Sequence, residues 1–321
     1  MRREFLKTLS AGIGGLVVGV PVSGSCRRSP TGAGDTLFDA FRTPSAEARP
    51  FFRWWWNGNR VTREELVREL RLMHAVGAGG VEINPIGMHE AIADPSGRAI
   101  EWLSDEWTGL VAAVVEEAER LGLVTDLIVG TGWPFGGEFL SDEETIQGVE
   151  LEVVDVQGPA RLTRELPARD GAHHRLLQAR LFPREVRSLE EGRDLMPVVG
   201  ADGTLALDVP PGEHQVYLLT WRNRFRDVFL GAPGGAGPVL DHFNRHAVEQ
   251  YLNRTSERLK PALGGALGRR IRAMFCDSIE LEGANWTGDL PGEFERRRGY
   301  DLAPWLPLVL HREVRAEAVL A

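Results

Sequence analysis

Between Phe51 and Pro134 the chain alternates between short apolar runs and segments of helical period, with few residues to spare at each change. Phe51–Trp56 (FFRWWW) has the composition of a strand and is closed by the loop residues Asn57-Gly58-Asn59. Thr62 followed by Glu65 forms a capping box, and Leu66, Leu70, Met73 and Val76 hold helical spacing as far as Gly77. Gly79–Asn84 is the next strand, ended by Pro85. A second helix runs from about Ser104, through Leu110, Val111, Val114, Val115 and Ala118, to Gly122. Leu123–Val129 is a third strand, ended by Gly130-Thr131-Gly132-Trp133-Pro134. Strands alternating with helices across short loops predict parallel βα units.

The period changes at about Gln147. As far as Phe229, apolar residues alternate with polar ones: Val149, Leu151 and Val153, then Leu205 and Leu207, then Val216, Leu218 and Thr220. Asp202-Gly203 and Pro210-Pro211-Gly212 are the turn signals between them. This is a small β-rich insert, and Gly231–Pro238 (GAPGGAGP) reads as its return linker; no Gly-Lys-Ser/Thr follows, so it is not a phosphate loop. Helical period resumes from Asp241 to about Leu263. Ile271–Cys276 is a fourth strand, Pro291–Arg298 a charged helix, and Trp305–Leu310 begins a further apolar element.

The expected division is therefore 1–35, an export signal and tether; 36–146, the first βα units; 147–230, the insert; and 231–321, a continuation of the βα units. The fold class is α/β, a partial (β/α)8 TIM-type barrel of about four βα units with an inserted β-rich domain. Half a barrel would expose a wide apolar edge, so the reading includes a truncated chain, or a second chain that completes the barrel.

The first residues are not read as fold. Arg2-Arg3-Glu4-Phe5-Leu6-Lys7 is a twin-arginine pattern, and the apolar, Gly-rich run Ala11–Val20 precedes small residues and Cys26. This predicts export by the twin-arginine route to a periplasmic or extracellular location. Cys26 is a candidate for lipidation and hence for membrane attachment, with simple cleavage as the alternative. Cys276 then has no partner, and no disulfide framework is expected. A net charge of -9 argues against a nucleic-acid surface, which needs clustered Lys and Arg.

The chemistry concentrates at strand ends, where α/β enzymes place their functional groups. Ile271–Cys276 leads into Asp277, Ser278, Glu280 and Glu282, then Asn285 and Trp286. Glycoside hydrolysis uses two carboxyls flanking the scissile bond, and partial burial at a strand end raises the pKa of the one that donates a proton. In an extended segment Ser278, Glu280 and Glu282 share a face and Asp277 points the other way. Solvated loop carboxylates, or partners of Arg296–Arg298, are the plainer reading. Glu82 and Asn84 end the second strand in the same way, and an arginine ion pair explains Glu82 as well as a ligand does. Trp133 offers a stacking face or packs into the core; Trp54, Trp55 and Trp56 cannot all face one way; Asn57 and Asn59 contact sugar hydroxyls or serve the turn. Asp241-His242 opens a helix, and capping is sufficient to explain Asp241. His173-His174 lacks any metal-ligand spacing and reads as surface. No Gly-x-Ser-x-Gly elbow supports serine-hydrolase chemistry.

Taken in order, FRWWWNGN, GAGGVEIN, VTDLIVGTGWPFGG, VPPGEHQVY, DHFNRHAV, CDSIE with NW, and FERRRGYDLAPWLP resemble glycoside hydrolase family 106, the α-L-rhamnosidase-like family. The resemblance spans about Phe51 to Leu310. It implies a (β/α)8-type catalytic barrel, an inverting mechanism with two glutamates, a calcium ion (Ca2+) at the sugar site and a carbohydrate substrate. Its Asp-Ser-x-Glu strand end falls on Asp277, Ser278 and Glu280, which makes Glu280 the candidate general acid. Trp56-Asn57 and Asp241-His242 fall on positions implied to line the pocket. Members of the family are longer, and the second carboxylate is expected in the part beyond this chain. A carbohydrate-binding protein without catalysis is the alternative.

Overall fold

The computed structural model describes residues 33–89, 96–186 and 188–311. The twin-arginine pattern and Cys26 lie outside them. The chain divides into two compact units, Met1–Pro44 and Ser45–Ala321. The described part of the first is one helix, α1 (Ala33–Arg42), which the sequence did not predict. Just after it, the Thr43 hydroxyl donates to the Asp39 carbonyl at 2.8 Å.

The larger unit begins with the predicted alternation: β1 (Phe51–Asn57), α2 (Arg63–Ala75), β2 (Gly80–Ile86), α3 (Asp105–Leu121) and β3 (Val124–Ile128). The helix ends form where the sequence places them. The Glu65 N–H donates to the Thr62 hydroxyl, and the Trp107 N–H to Ser104 Oγ. Glu65 itself pairs with Arg68 instead of closing the capping box. Gly122 ends α3 at φ +70°, a left-handed conformation open to glycine at no steric cost. Pro85 does not end β2; it pairs in register with Trp56, and β2 runs one residue further, to Ile86.

These strands and β8 (Met274–Phe275) form one parallel sheet in the order β1-β2-β3-β8. Alternation along the strands sends Trp54, Trp56, Val81, Ile83 and Leu127 to one face, where they pack with Leu66 and Leu70 of α2 and Val111, Val114 and Val115 of α3. The other face carries Arg53, Trp55 and Asn57 on β1, Glu82 and Asn84 on β2, and Asp126 on β3. The expected fourth strand is shorter than Ile271–Cys276. It pairs with β3 on one side only, and Met274 and Cys276 are exposed, so it is an edge strand and not a buried one. The parallel sheet is four-stranded and open in the described residues, so the closed barrel is not what they form.

Between β3 and the next helix lies an antiparallel sheet of order β4-β7-β5-β6, built from β4 (Gln147–Glu165), β5 (His174–Pro183), β6 (Arg193–Asp194) and β7 (Thr204–Asn223). Leu176, Leu181, Leu205, Leu207, Val216 and Leu218 form its core. Pro210-Pro211-Gly212 is not a turn. It lies within β7, opposite a register shift at Gly158/Ala160 of β4, where skipped pairing tolerates prolines that have no N–H to donate. The chain returns through α4 (Arg245–Ala262) and the short α5 (Leu267–Arg270) to β8, then ends its described part with α6 (Leu290–Arg298) and α7 (Leu306–Leu310).

Candidate active site

The C-terminal ends of the parallel strands open into a cleft of about 960 Å³. Gly87 and Met88 follow β2, Trp133 follows β3, Glu280 follows β8, and Arg226 and Phe229 come from the segment after β7. That last segment includes the glycine-rich stretch read as a linker, and it is held firmly. Trp133 and Phe229 exchange backbone hydrogen bonds of 3.1 and 3.0 Å, the Gly87 N–H donates to the Leu230 carbonyl at 2.6 Å, and the Trp102 N–H to the Pro233 carbonyl at 2.7 Å. Gly132 permits this approach: at φ +61° it is left-handed, and a Cβ there would sit 2.2 Å from the Phe229 carbonyl oxygen. Sequence reading missed this wall because its contacts are made by backbone atoms, which leave no side-chain signature.

Glu280 is part-exposed and lies 3.4 Å from Arg226 Nη2, while Glu282 pairs with Nη1 of the same guanidinium. One arginine thus gathers the two carboxylates that were expected to share a face. The loop that carries them is anchored beyond Glu282. Asn285 acts as a one-residue strand: its Oδ1 accepts from the Val149 N–H at 2.8 Å and its Nδ2 donates to the Val149 carbonyl at 2.9 Å.

On the sheet face below, Arg53 joins two further predicted residues. Its Nε lies 3.0 Å from Glu82 Oε1 and its Nη1 lies 3.1 Å from Asp277 Oδ2, with the guanidinium 4.3 Å from the centre of the Phe275 ring. The ion-pair reading of Glu82 therefore holds. Burial pushes the Glu82 pKa up, and Arg53 pulls against that shift. Asp126 is bound by both Arg272 and the Ala273 N–H.

The remaining predicted residues do not converge on the cleft. Trp56 is 1% exposed and enclosed by Trp54 and Trp107 edge to face, which leaves no ring face for a ligand; Trp55 is the one on the open face, at 46%. Asn84 is buried, and Asn57 is exposed at the end of β1. Trp286 packs against the Val149, Leu219 and Trp221 cluster and lines a separate groove with Phe243 and Thr287. Asp241 does not cap a helix: Asn244 caps α4, and Asp241 turns the chain before it by accepting from the Phe243 N–H at 3.0 Å. Burial raises the Asp241 pKa and lowers that of His242, whose Nδ1–H donates to the Leu240 carbonyl at 2.8 Å. His173 Nδ1 lies 2.9 Å from Asn223 Oδ1.

Calcium finds no ready site here. Among the described residues no three His, Cys, Asp or Glu side chains converge to hold a metal, and Glu82, Asp277, Glu280, Glu282 and Asp126 are each paired with an arginine. These residues do not fit a calcium ion by themselves.

A cleft at the carboxyl ends of parallel strands, walled by aromatic rings and bearing a carboxylate, is where α/β proteins place their ligand-binding groups. The glycoside hydrolase 106 model, described as alpha-L-rhamnosidase, matches residues 42–190 and 188–319, and the chain belongs to that family. A protein of Formosa agariphila named as a beta-glucuronidase is 25% identical over 307 residues, covering 84% of this chain and 26% of that protein. A rhamnosidase from Novosphingobium sp. PP1Y shares the fold at a TM-score of 0.60 and 18% identity, covering 84% of this chain and 42% of that one. The chain thus spans less than half the length of either.

Proposed function

We propose that this chain carries the acid half of an exported glycoside hydrolase that removes a terminal α-L-rhamnose or similar deoxy-sugar from a glycoside or polysaccharide. The observation that carries this reading is the position of Glu280, which lines the cleft at the strand ends together with Trp133. Trp133 stacks on the sugar ring, and Glu280 protonates the glycosidic oxygen as the bond breaks. In an inverting reaction a second carboxylate, from a part of the protein beyond these residues, activates water on the opposite face. Asp277 and Glu82, held by Arg53, support the strand end that presents Glu280. Export follows from the twin-arginine pattern at Arg2-Arg3, with Cys26 as the candidate lipid site. The remaining strands of a (β/α)8 barrel come from the rest of the protein or from a second chain, and a calcium site completed there fits the family's pattern.

The sugars that the two relatives' names imply differ in ring configuration and in the exocyclic group on C5. A rhamnoside carries a methyl group on C5, and a glucuronide carries a carboxylate there. The cleft favours the first, since its one arginine is already engaged by two glutamates.

A second reading is binding without cleavage. The observation that favours it is the same ion pair: a carboxylate engaged by Arg226 must be released before it can donate a proton. Glu280→Gln separates the two. The enzyme reading predicts that turnover of an aryl rhamnoside falls by about 10²–10⁴ while the affinity for rhamnose is kept. Undiminished turnover in that variant sinks the assignment of Glu280. Calorimetric binding with no turnover in the unsubstituted protein establishes the second reading.

A further inference from the structure

Trp133 and Phe229 form a corner in the cleft. Their rings meet edge to face, 5.2 Å between centroids and at 68°, and Phe229 is 51% exposed. The corner is rigid, because reciprocal backbone hydrogen bonds fix the two residues and the Gly132 backbone packs directly under the Phe229 carbonyl. A phenyl ring held half in water does little for folding, but two apolar surfaces at a steep angle suit a pyranose. One covers the C–H face of the ring, and the other covers the substituent that projects from C5.

The charges nearby decide which substituent is accepted. Arg226 would be the partner for a carboxylate, yet both of its outer nitrogens face Glu280 and Glu282. A third carboxylate brought to this cleft meets Glu280 and Asp227 of its own sign and an aromatic wall, and the arginine of the lining is already engaged. A hydroxymethyl group would lose its water against the rings. A methyl group loses nothing.

We infer that Phe229 is a specificity-determining residue, whose ring receives the C5 methyl of a 6-deoxy sugar and disfavours a hydroxymethyl or carboxylate in its place. This rests on the reading of the cleft as a sugar site. The test is calorimetry of the protein with L-rhamnose, with L-mannose (which differs from it only by a hydroxyl on C6) and with glucuronate. L-rhamnose should bind about tenfold tighter than L-mannose, the scale on which an apolar pocket discriminates, and glucuronate should bind weakest. In Phe229→Ala that preference should fall to about twofold or less, and Phe229→Trp should restore it. Melting temperature should be unchanged in Phe229→Ala, which separates lost recognition from lost fold. The inference is overturned if Phe229→Ala keeps the tenfold preference, or if glucuronate binds tighter than L-rhamnose. If none of the three sugars binds, the sugar-site reading fails and this inference fails with it.

Discussion

Arg53, in the middle of β1, reaches Asp277, two residues past β8, at 3.1 Å. In the sheet order β1-β2-β3-β8 those strands are three spacings apart, roughly 14 Å if the sheet were flat. An arginine does not span that distance sideways, so Arg53 and the segment that follows β8 meet over the polar face of the sheet. The contact therefore ties the strand end that precedes Glu280 to the opposite edge of the sheet.

Arg53→Met should remove both ion pairs and leave Glu82 and Asp277 without a cation. Both carboxylates are mostly shielded from water, so we expect a loss of about 1–3 kcal/mol in urea unfolding, with Arg53→Lys recovering only part of it. No change in either variant would mean that other contacts hold the segment after β8.

The three tryptophans of β1 separate by face. Trp56→Ala empties a core position and should cost about 3–5 kcal/mol. Trp55→Ala, on the open face, should change stability by about 0.5 kcal/mol or less. Equal costs in denaturation curves would contradict the facing assigned here.

Gly132→Ala places a Cβ against the Phe229 carbonyl and forces a left-handed backbone on alanine. The combined strain should cost about 2–4 kcal/mol. The Trp133–Phe229 corner should loosen with it, seen as lost rhamnose binding. A variant as stable as the parent would show that this approach is softer than its geometry implies.

Acid should relieve two buried carboxyls. Burial raises the folded-state pKa of Glu82 and of Asp241 above the ordinary values of 4.5 and 3.8. Between the unfolded and folded pKa values the folded state holds more protons, so this contribution to stability falls as pH rises through that window and is recovered as pH drops. Asp241→Asn should flatten that part of the pH–stability profile and gain on the parent most at neutral pH. A parent profile that rises with pH by the same amount in both proteins would contradict this.

Much of this was legible before the structure, for physical reasons. The helices α2 and α3 show their caps and apolar stripes directly in residue type, and the insert announces itself by a change of period. Glu280 was singled out over Glu282 by the family's Asp-Ser-x-Glu pattern, whereas spacing alone left both open to the plainer reading as solvated loop carboxylates. What was hidden depended on facing or on backbone. Choosing Trp56 over Trp55 requires knowing which face of β1 the helices cover. Asp241 before a helix looks like a cap until Asn244 is seen to take the bond. The wall at Phe229–Ala236 is glycine-rich, and glycine marks freedom in a sequence whether or not the fold removes it.

If Glu280 delivers the proton to the departing oxygen, the rate of its variants must depend on the leaving group. Turnover of a phenyl α-L-rhamnoside, whose leaving group needs the proton, should be compared with that of a dinitrophenyl α-L-rhamnoside, whose leaving group does not. Glu280→Gln should lose about 10²–10⁴ in rate on the first and little on the second. Equal losses on both substrates, no loss on either, or no turnover of either by the unsubstituted protein would contradict the claim.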